Sequence, residues 1–183
     1  VAAPVPPLVD GFEPLPGEHG RADTRADPRR YSRAAMFGVR AAREAGVKLM
    51  VAYRLHFARA NLEAGEIARS GRIGEPRLFN STFCTPVVPG NIRARRETGG
   101  GVLYDIGIYC INAARSLFRD EPIEVRALTS GRLNEVEESA AAVLRFPNDR
   151  VGVFNASFGT QKVSEYLLAG TKGDLAVEPA YEY

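Results

Sequence analysis

Residues 99–118 read GGGVLYDIGIYCINAARSLF and carry the most regular hydrophobic pattern of the chain. Apolar side chains recur along one face of a helix, at Leu103, Ile106, Cys110, Ala113 and Leu117. This spacing predicts an amphipathic helix over Val102–Phe118, preceded by three glycines. The segments on either side must supply the surface that this apolar face covers.

Beyond the helix, apolar and polar residues alternate with a period of two, which is typical of strands. The alternating segments are Ile123–Leu128, Ser139–Phe146, Val151–Phe158 and Val163–Ala169. Pro147-Asn148-Asp149 lies between the middle pair and predicts a hairpin turn. Together they predict an α+β fold of two layers, in which helices cover one face of an open, mostly antiparallel sheet. The other face is then left to water or to association.

Two helix and strand pairs come before the glycines. The predicted helices are Ala34–Ala45, ended by Gly46, and Asn61–Ser70, closed by Gly71; the strands that follow them are Val47–Tyr53 and Pro76–Phe83. A glycine directly after the last periodic residue is a common helix stop, because it adopts positive φ without strain.

The first 30 residues differ in character from the rest. They hold six of the twelve prolines and show neither a helical nor a strand period, which predicts that they do not fold alone. We therefore divide the chain into 1–33, a disordered or aberrant segment; 34–57, one α/β unit; and 58–183, the main domain.

Composition excludes several classes of partner. The 24 basic and 22 acidic side chains leave a net charge of +2, too little to attract nucleic acid or an anionic membrane. No apolar run approaches the roughly 20 residues that cross a bilayer, and no export signal is visible. Cys84 and Cys110 lack the spacing of a redox pair, which favours a reduced, cytoplasmic protein. Glu137, Glu138 and Glu165 show no metal-ligand spacing, so no metal is expected.

The residues most capable of chemistry lie on the long helix. At 100° per residue, Asp105, Tyr109, Asn112 and Ser116 fall within about 60° of one another. Asp105 and Tyr109 are one turn apart, so the carboxylate could orient a phenol that exchanges a proton with a substrate oxygen. The alternative is a solvated edge, or a buried hydrogen-bond ladder that holds the helix on the sheet.

Gly99-Gly-Gly-Val-Leu-Tyr-Asp105-Ile-Gly107-Ile-Tyr109-Cys-Ile-Asn112 resembles the signature helix of the glucose-fructose oxidoreductase and inositol dehydrogenase (Gfo/Idh/MocA) family. There, a glycine run precedes Asp and Gly, and a His or Tyr stands two residues after that Gly. Three more segments resemble the family, namely 45–57, 70–76 and 170–175. By this resemblance, residues 34–57 are a remnant of the last α/β unit of a nucleotide-binding domain, and 58–183 are a substrate-binding and oligomerisation domain that is incomplete at its carboxy end. The resemblance covers roughly residues 34–183.

The resemblance implies a two-domain enzyme. A Rossmann domain binds NAD or NADP, and a domain like the carboxy-terminal one of glyceraldehyde-3-phosphate dehydrogenase contacts a sugar or polyol and forms a homo-oligomer through its open sheet. Hydride then moves between a CH–OH carbon and the nicotinamide. Tyr109 occupies the proton-transfer position and Asp105 that of the supporting carboxylate. Since a free phenol is a poor base at neutral pH, the family adds a lysine from a Glu-Lys-Pro motif.

The chain departs from this pattern ahead of Lys48. No Gly-x-Gly-x-x-Gly follows a strand, and no lysine occurs early enough to form Glu-Lys-Pro. The family also implies a closing helix and strands after Tyr183. We therefore expect that the Rossmann domain is missing, and that this chain alone binds no cofactor and is inactive. The composition of residues 1–30 resembles a high-GC gene read out of frame; truncation and a natural fragment are the alternatives.

Three further side chains are candidates for substrate binding. Arg54 follows a predicted strand, where α/β proteins place ligand contacts. Arg93 stands with Arg95 and Arg96 ahead of a helix amino terminus, which attracts anions. Asn112 lies on the polar stripe of the long helix, the face that also carries Asp105, Tyr109 and Ser116. A salt bridge for Arg54 and a solvated loop for the other arginines remain open. Two function classes follow: an NAD(P)-dependent oxidoreductase acting on CH–OH groups, or a non-catalytic oligomerisation or sugar-binding module, which includes a non-functional fragment.

Overall fold

The computed structural model describes residues 28–49, 53–131, 133 and 136–181. These residues divide into two compact units between Gly46 and Val47. The first unit contains helix α1, Pro28–Glu44, and Gly46 follows it at φ +65°, as the glycine stop predicts. The helix starts earlier than predicted, because proline is tolerated in a first turn. Residues 28–33, expected to be disordered, are therefore helical, and residues 1–27 lie outside the described part.

The predicted strand over 47–53 is wrong for the residues that can be judged. Val47–Leu49 and Tyr53 have no strand structure, and 50–52 lie outside the described residues. Val47 and Leu49 are 62% and 60% exposed. A strand needs a neighbour to satisfy its backbone groups, and none of the described strands pairs with this segment.

The second unit is built on one six-stranded sheet in the order β2-β3-β4-β1-β5-β6. The strands are β1 Pro76–Cys84, β2 Glu124–Ser130, β3 Ser139–Phe146, β4 Arg150–Ser157, β5 Val163–Gly170 and β6 Asp174–Val177. All neighbours are antiparallel except β1 and β4. The α+β prediction is confirmed. Only β6 was not anticipated, since four residues are too few to establish a period.

The hairpin turn between β3 and β4 is confirmed. Asn148 and Asp149 have φ of +62° and +55°, the left-handed pair that suits the twist of a tight hairpin. Asn and Asp tolerate this region better than other residues with a side chain.

Helices cover one face of the sheet. They are α2 Arg59–Arg69 and α3 Ile108–Phe118, the latter preceded by a π-helical turn at Leu103–Gly107. Beneath them, Phe79, Phe146, Phe154 and Leu168 are almost completely buried. The single predicted helix over 102–118 therefore contains one wide turn. Gly107 lies in this turn, and a Cβ built there would approach the Leu103 side chain to 3.1 Å.

The opposite face of the sheet is open. Strand register places Leu78, Val143 and Leu167 on it, and their exposures are 44%, 46% and 38%. Glu124, Arg126 and Arg145 form ion pairs at the β2 edge of the same face. An apolar centre with a charged border is therefore presented to solvent.

Candidate active site

Helix α3 and its wide turn lie between two cavities. The front cleft, of about 460 Å³, is bordered by Asp105 and Tyr109. The rear cavity, of about 90 Å³, is bordered by Tyr109, Asn112 and Ser116. The polar stripe predicted for one helical face is thus divided, because the π-helical turn changes the angular relation between Asp105 and the residues after it. Tyr109 is the member of the stripe that borders both cavities.

The front cleft joins residues that are far apart in the sequence. Its walls come from the end of β1 and the loop after it, from the π-helical turn and the start of α3, and from the loop before β5. Besides Asp105 and Tyr109 the polar lining comprises Thr85, Asn91, Arg93, Lys162 and Tyr181, and Phe83 supplies an aromatic wall. A cleft of this size with a few converging polar groups has the character of a small-molecule site.

Arg93 and Asp105 form an ion pair inside this cleft. The guanidinium Nε donates to the Asp105 Oδ2 at 2.8 Å, and the two side chains are 48% and 28% exposed. The backbone N–H of Arg93 also donates to the Asn91 side chain at 3.0 Å. A charge-assisted bond in this half-exposed setting fixes the orientation of the carboxylate more than it adds stability.

The glycine run brings Arg93 to the helix. Gly101 donates its N–H to the Arg93 carbonyl at 3.0 Å, and Gly100 donates to the Arg95 carbonyl at 2.8 Å. A Cβ at Gly100 would collide with the carbonyl oxygen of Arg93, so this close approach requires glycine.

The same bonds bear on the expected dinucleotide site. Gly99, Gly100 and Gly101 all donate their N–H groups to backbone carbonyls, so none is free to hold a pyrophosphate. The described residues also lack a strand, glycine turn and helix unit of the Rossmann type. They do not fit a dinucleotide site of that kind.

The Tyr109 ring is enclosed by other aromatic rings. Tyr53 stacks on it at 5.2 Å between centroids with 28° between planes. Phe83 meets it edge-on at 5.8 Å and 89°, and Tyr181 lies at 6.3 Å. Among the described residues, none forms a hydrogen bond with the Tyr109 hydroxyl. The phenol ring is therefore held by packing.

The other tyrosines near the site have structural roles. Burial raises the pKa of Tyr53, Tyr166 and Tyr181 well above the usual range of a phenol. Tyr166 donates to the Asn61 side chain at 2.8 Å, and Tyr181 shares a 2.6 Å hydrogen bond with Ser81. These three hydroxyls stay protonated at neutral pH and are unsuited to act as a base.

The predicted site residues are partly brought together. Arg93, Asp105 and Tyr109 share the front cleft, whereas Asn112 borders the rear cavity and accepts from the Arg115 guanidinium at 2.9 Å. Arg54 lies in a 3-10 turn, and its side chain is outside the described part. Arg95 donates to the Gly90 carbonyl at 3.3 Å.

Sequence reasoning missed Tyr53, Phe83, Lys162 and Tyr181. Each stands alone in its local pattern, and the pairing of β1 with β4 and β5 brings the last three to the cleft. Within the described residues, no group of three or more metal-ligating side chains could hold an ion. None of the helices described there is long and apolar enough to span a membrane.

Comparison with known proteins places these features in a family. A model of the GFO/IDH/MocA C-terminal domain matches residues 61–176. The chain is 33% identical over 143 residues to the NADP(+) D-xylose 1-dehydrogenase of Haloarcula marismortui, covering 73% of this chain and 40% of that protein. It is 34% identical over 143 residues to the 1,5-anhydro-D-fructose reductase of Ensifer adhaerens, covering 74% and 43%.

A solved structure agrees with these matches. The aldose-aldose oxidoreductase from Caulobacter crescentus, complexed with glycerol, superposes with a TM-score of 0.75 at 34% identity, over 79% of this chain and 45% of that one. The chain spans about two fifths of the length of the curated relatives named above. Since the family model covers more than half of its residues, the chain belongs to the GFO/IDH/MocA family of oxidoreductases, and residues 61–176 correspond to the C-terminal domain of that family.

Proposed function

We propose that this chain supplies the substrate-binding part of an NAD(P)-dependent oxidoreductase of sugars or polyols, with Tyr109 as the proton donor and acceptor. The carrying observation is the Tyr109 phenol at the edge of the front cleft, beside the Arg93–Asp105 pair. Relatives named as a D-xylose dehydrogenase and an anhydrofructose reductase support this substrate class. The cofactor would be held by residues other than those described, and it would supply the redox chemistry.

The lining of the front cleft suits a polyhydroxylated ring. Phe83 and Tyr181 offer apolar surface to the carbon skeleton, and Arg93, Asp105 and Asn91 offer donors and acceptors to hydroxyl groups. Because Arg93 neutralises Asp105, the carboxylate can accept from a sugar hydroxyl without acting as an isolated charge. Few but well-placed polar groups in an aromatic setting are the general means of orienting a small ligand.

The Tyr109 hydroxyl is suited to exchange a proton with the substrate. Its oxygen has no hydrogen bond to the described residues, so a carbinol hydroxyl in the cleft can take that place within hydrogen-bond reach. Asp105 is fixed one turn away by Arg93. We retain the prediction that this carboxylate supports Tyr109, acting by holding the substrate beside the phenol.

Sugar binding tests the substrate part of the proposal. D-xylose is titrated into the chain carrying ¹³C-labelled tyrosine rings, and the Tyr109 resonances are followed by NMR. We expect saturable chemical-shift changes for Tyr109. Asp105→Asn should lower the affinity for D-xylose by roughly tenfold, because it removes one charge-assisted hydrogen bond. Tyr104→Phe is the matched control, because Tyr104 is 72% exposed and does not line the cleft. Absence of any shift at molar D-xylose would refute a sugar site here.

Cofactor binding tests the catalytic part. NADH and NADPH are titrated by nicotinamide fluorescence into this chain, and into a longer protein in which a family nucleotide-binding domain precedes residue 34. We expect binding only by the longer protein. In it, Tyr109→Phe should lower kcat by 10²-fold or more, the usual contribution of a proton-transfer group. Full activity of the Phe variant would contradict the role of Tyr109.

A second role is favoured by the open face of the sheet. The exposed centre at Leu78, Val143 and Leu167, with ion pairs at one edge, suits self-association about a two-fold axis. We propose a homo-oligomer through this face, independent of catalysis. Val143→Glu should convert the oligomer to monomer in sedimentation, whereas Glu137→Ala, away from this face, should not. A wild-type monomer at 100 micromolar would contradict it.

The buried free thiols of Cys84 and Cys110 suit the reducing cytoplasm.

A further inference from the structure

Among the described residues, the ring of Tyr53 has the shortest centroid distance to the ring of Tyr109. The two rings are stacked at 5.2 Å and 28°, whereas Phe83 presents only an edge and Tyr181 is tilted at 59°. Tyr53 lies outside α3, just before the 3-10 turn at Arg54–Phe57. It therefore acts as an external support for the face of the Tyr109 ring.

The hydroxyl of Tyr53 is bound to the same helical turn. It donates to the carbonyl oxygen of Ile108 at 3.3 Å. Ile108 directly precedes Tyr109 in the sequence. The stack and this hydrogen bond thus place Tyr53 against the helical turn that carries Tyr109.

Packing is the main restraint available to the Tyr109 ring. Rotation about the terminal torsion of a tyrosine is broad and two-fold, and the Tyr109 hydroxyl has no hydrogen bond to the described residues that would select one orientation. Rotation about this torsion leaves the oxygen in place, because the oxygen lies on the rotation axis. It turns the ring plane, in which the phenolic O–H prefers to lie, so a ring that rocks by tens of degrees misdirects its hydroxyl by more than the roughly 10–20° that a productive site geometry tolerates.

We propose that Tyr53 is a positioning residue that fixes the ring plane of Tyr109 in the front cleft through the face-to-face stack, itself anchored on the Ile108 carbonyl. The positioning has a catalytic purpose only if the proposed function holds, because it rests on Tyr109 as the proton-transfer group. The contact between the two rings is a property of the folded chain and is measured without turnover.

Ring-flip rates in the labelled chain test the proposal. Tyr53→Leu removes the stack and should accelerate ring flips of Tyr109 by roughly two- to tenfold. This factor corresponds to the interaction energy of one aromatic pair. Tyr53→Phe keeps the ring and should restore most of the wild-type slowing. Tyr104→Leu is the control and should leave Tyr109 unchanged. If Tyr53→Leu does not fold, Tyr53→Met removes the ring while filling a similar volume.

Tyr166 serves as an internal reference, because its ring contacts are Phe79 and Tyr181 and do not include Tyr53. Acceleration confined to Tyr109 supports positioning. Equal acceleration of Tyr109 and Tyr166 indicates general loosening and overturns the proposal, as does a Tyr53→Phe variant that flips as fast as Tyr53→Leu. D-xylose shifts of Tyr109 report the proposed function separately, so either idea can fail while the other stands.

Discussion

Replacing Arg150 should destabilise the chain more than replacing any surface arginine, because the Arg150 side chain bonds the end of α3 to the start of β4. Its guanidinium donates to the carbonyls of Pro147 and Phe118 at 2.8 Å each and pairs with Asp120. It also lies over the Phe118 ring at 5.3 Å from the centroid. Phe118 is the last residue of α3, where a cation also complements the helix dipole.

The magnitude follows from these contacts. The Arg150 side chain is 10% exposed, and its loss leaves two carbonyls without their charged donor, at about 1.5–3 kcal/mol each. Arg150→Met should therefore lower the free energy of unfolding by about 3–5 kcal/mol. Arg150→Lys keeps the charge but not the planar fork, and should lower it by about half as much.

Arg145→Met is the matched control. Arg145 stands at the end of the neighbouring strand and pairs with Glu124, but the two side chains are 52% and 39% exposed. Such a pair is worth about 0–1 kcal/mol. Urea unfolding followed by far-UV circular dichroism measures all three variants. If Arg150→Met and Arg145→Met lie within 1 kcal/mol of each other at equal m-values, the reasoning is refuted.

Three other predictions concern stability and reactivity. Burial raises the pKa of the Cys110 thiol from 9.0 to about 11, so above pH 9 the unfolded chain loses this proton before the folded chain does. This thiol should lower the unfolding free energy by about 2 kcal/mol between pH 9 and 11. Cys110→Ala should therefore make that part of the urea-midpoint profile less steep, and the buried tyrosines account for the slope that remains. Cys84 and Cys110 are 6% and 0% exposed, so Ellman's reagent should react with neither until denaturant is added, and fast labelling of the native chain would contradict their burial. Gly100→Ala should lower the unfolding free energy by at least about 1–3 kcal/mol because of its clash with the loop backbone, whereas Gly173→Ala, whose Cβ would meet nothing closer than 4.0 Å, should stay within about 0.5 kcal/mol.

The elements of the fold were largely predictable because their local patterns are strong. Strands β3, β4 and β5 alternate cleanly, and the glycine stops at Gly46 and Gly71 have positive φ. The strand prediction fails at Val47–Leu49 and Tyr53 for a physical reason, since an apolar run forms a strand only beside another strand. The order of the sheet was not predictable, because no local signal in β1 indicates that it pairs in parallel with β4.

The candidate site was predictable where its residues share one helix. Asp105 and Tyr109 follow from spacing and resemblance, but the π-helical turn that sends Asn112 to the rear cavity has no signature in the helical period. Tyr53 and Lys162 reach the site through tertiary packing alone. Ordinary residue types in loops carry no sign of such contacts until the sheet register is known.

The parallel pairing of β1 has a consequence for the order in which the chain can fold during synthesis. Both neighbours of β1 are made late, since β4 ends at Ser157 and β5 at Gly170. At roughly 5–20 residues per second, a ribosome needs about 4–15 seconds after completing β1 to finish β4. During that interval the future centre of the sheet has no partner strand, and the nascent chain exposes Phe79 and Phe83 to chaperones or to other nascent chains.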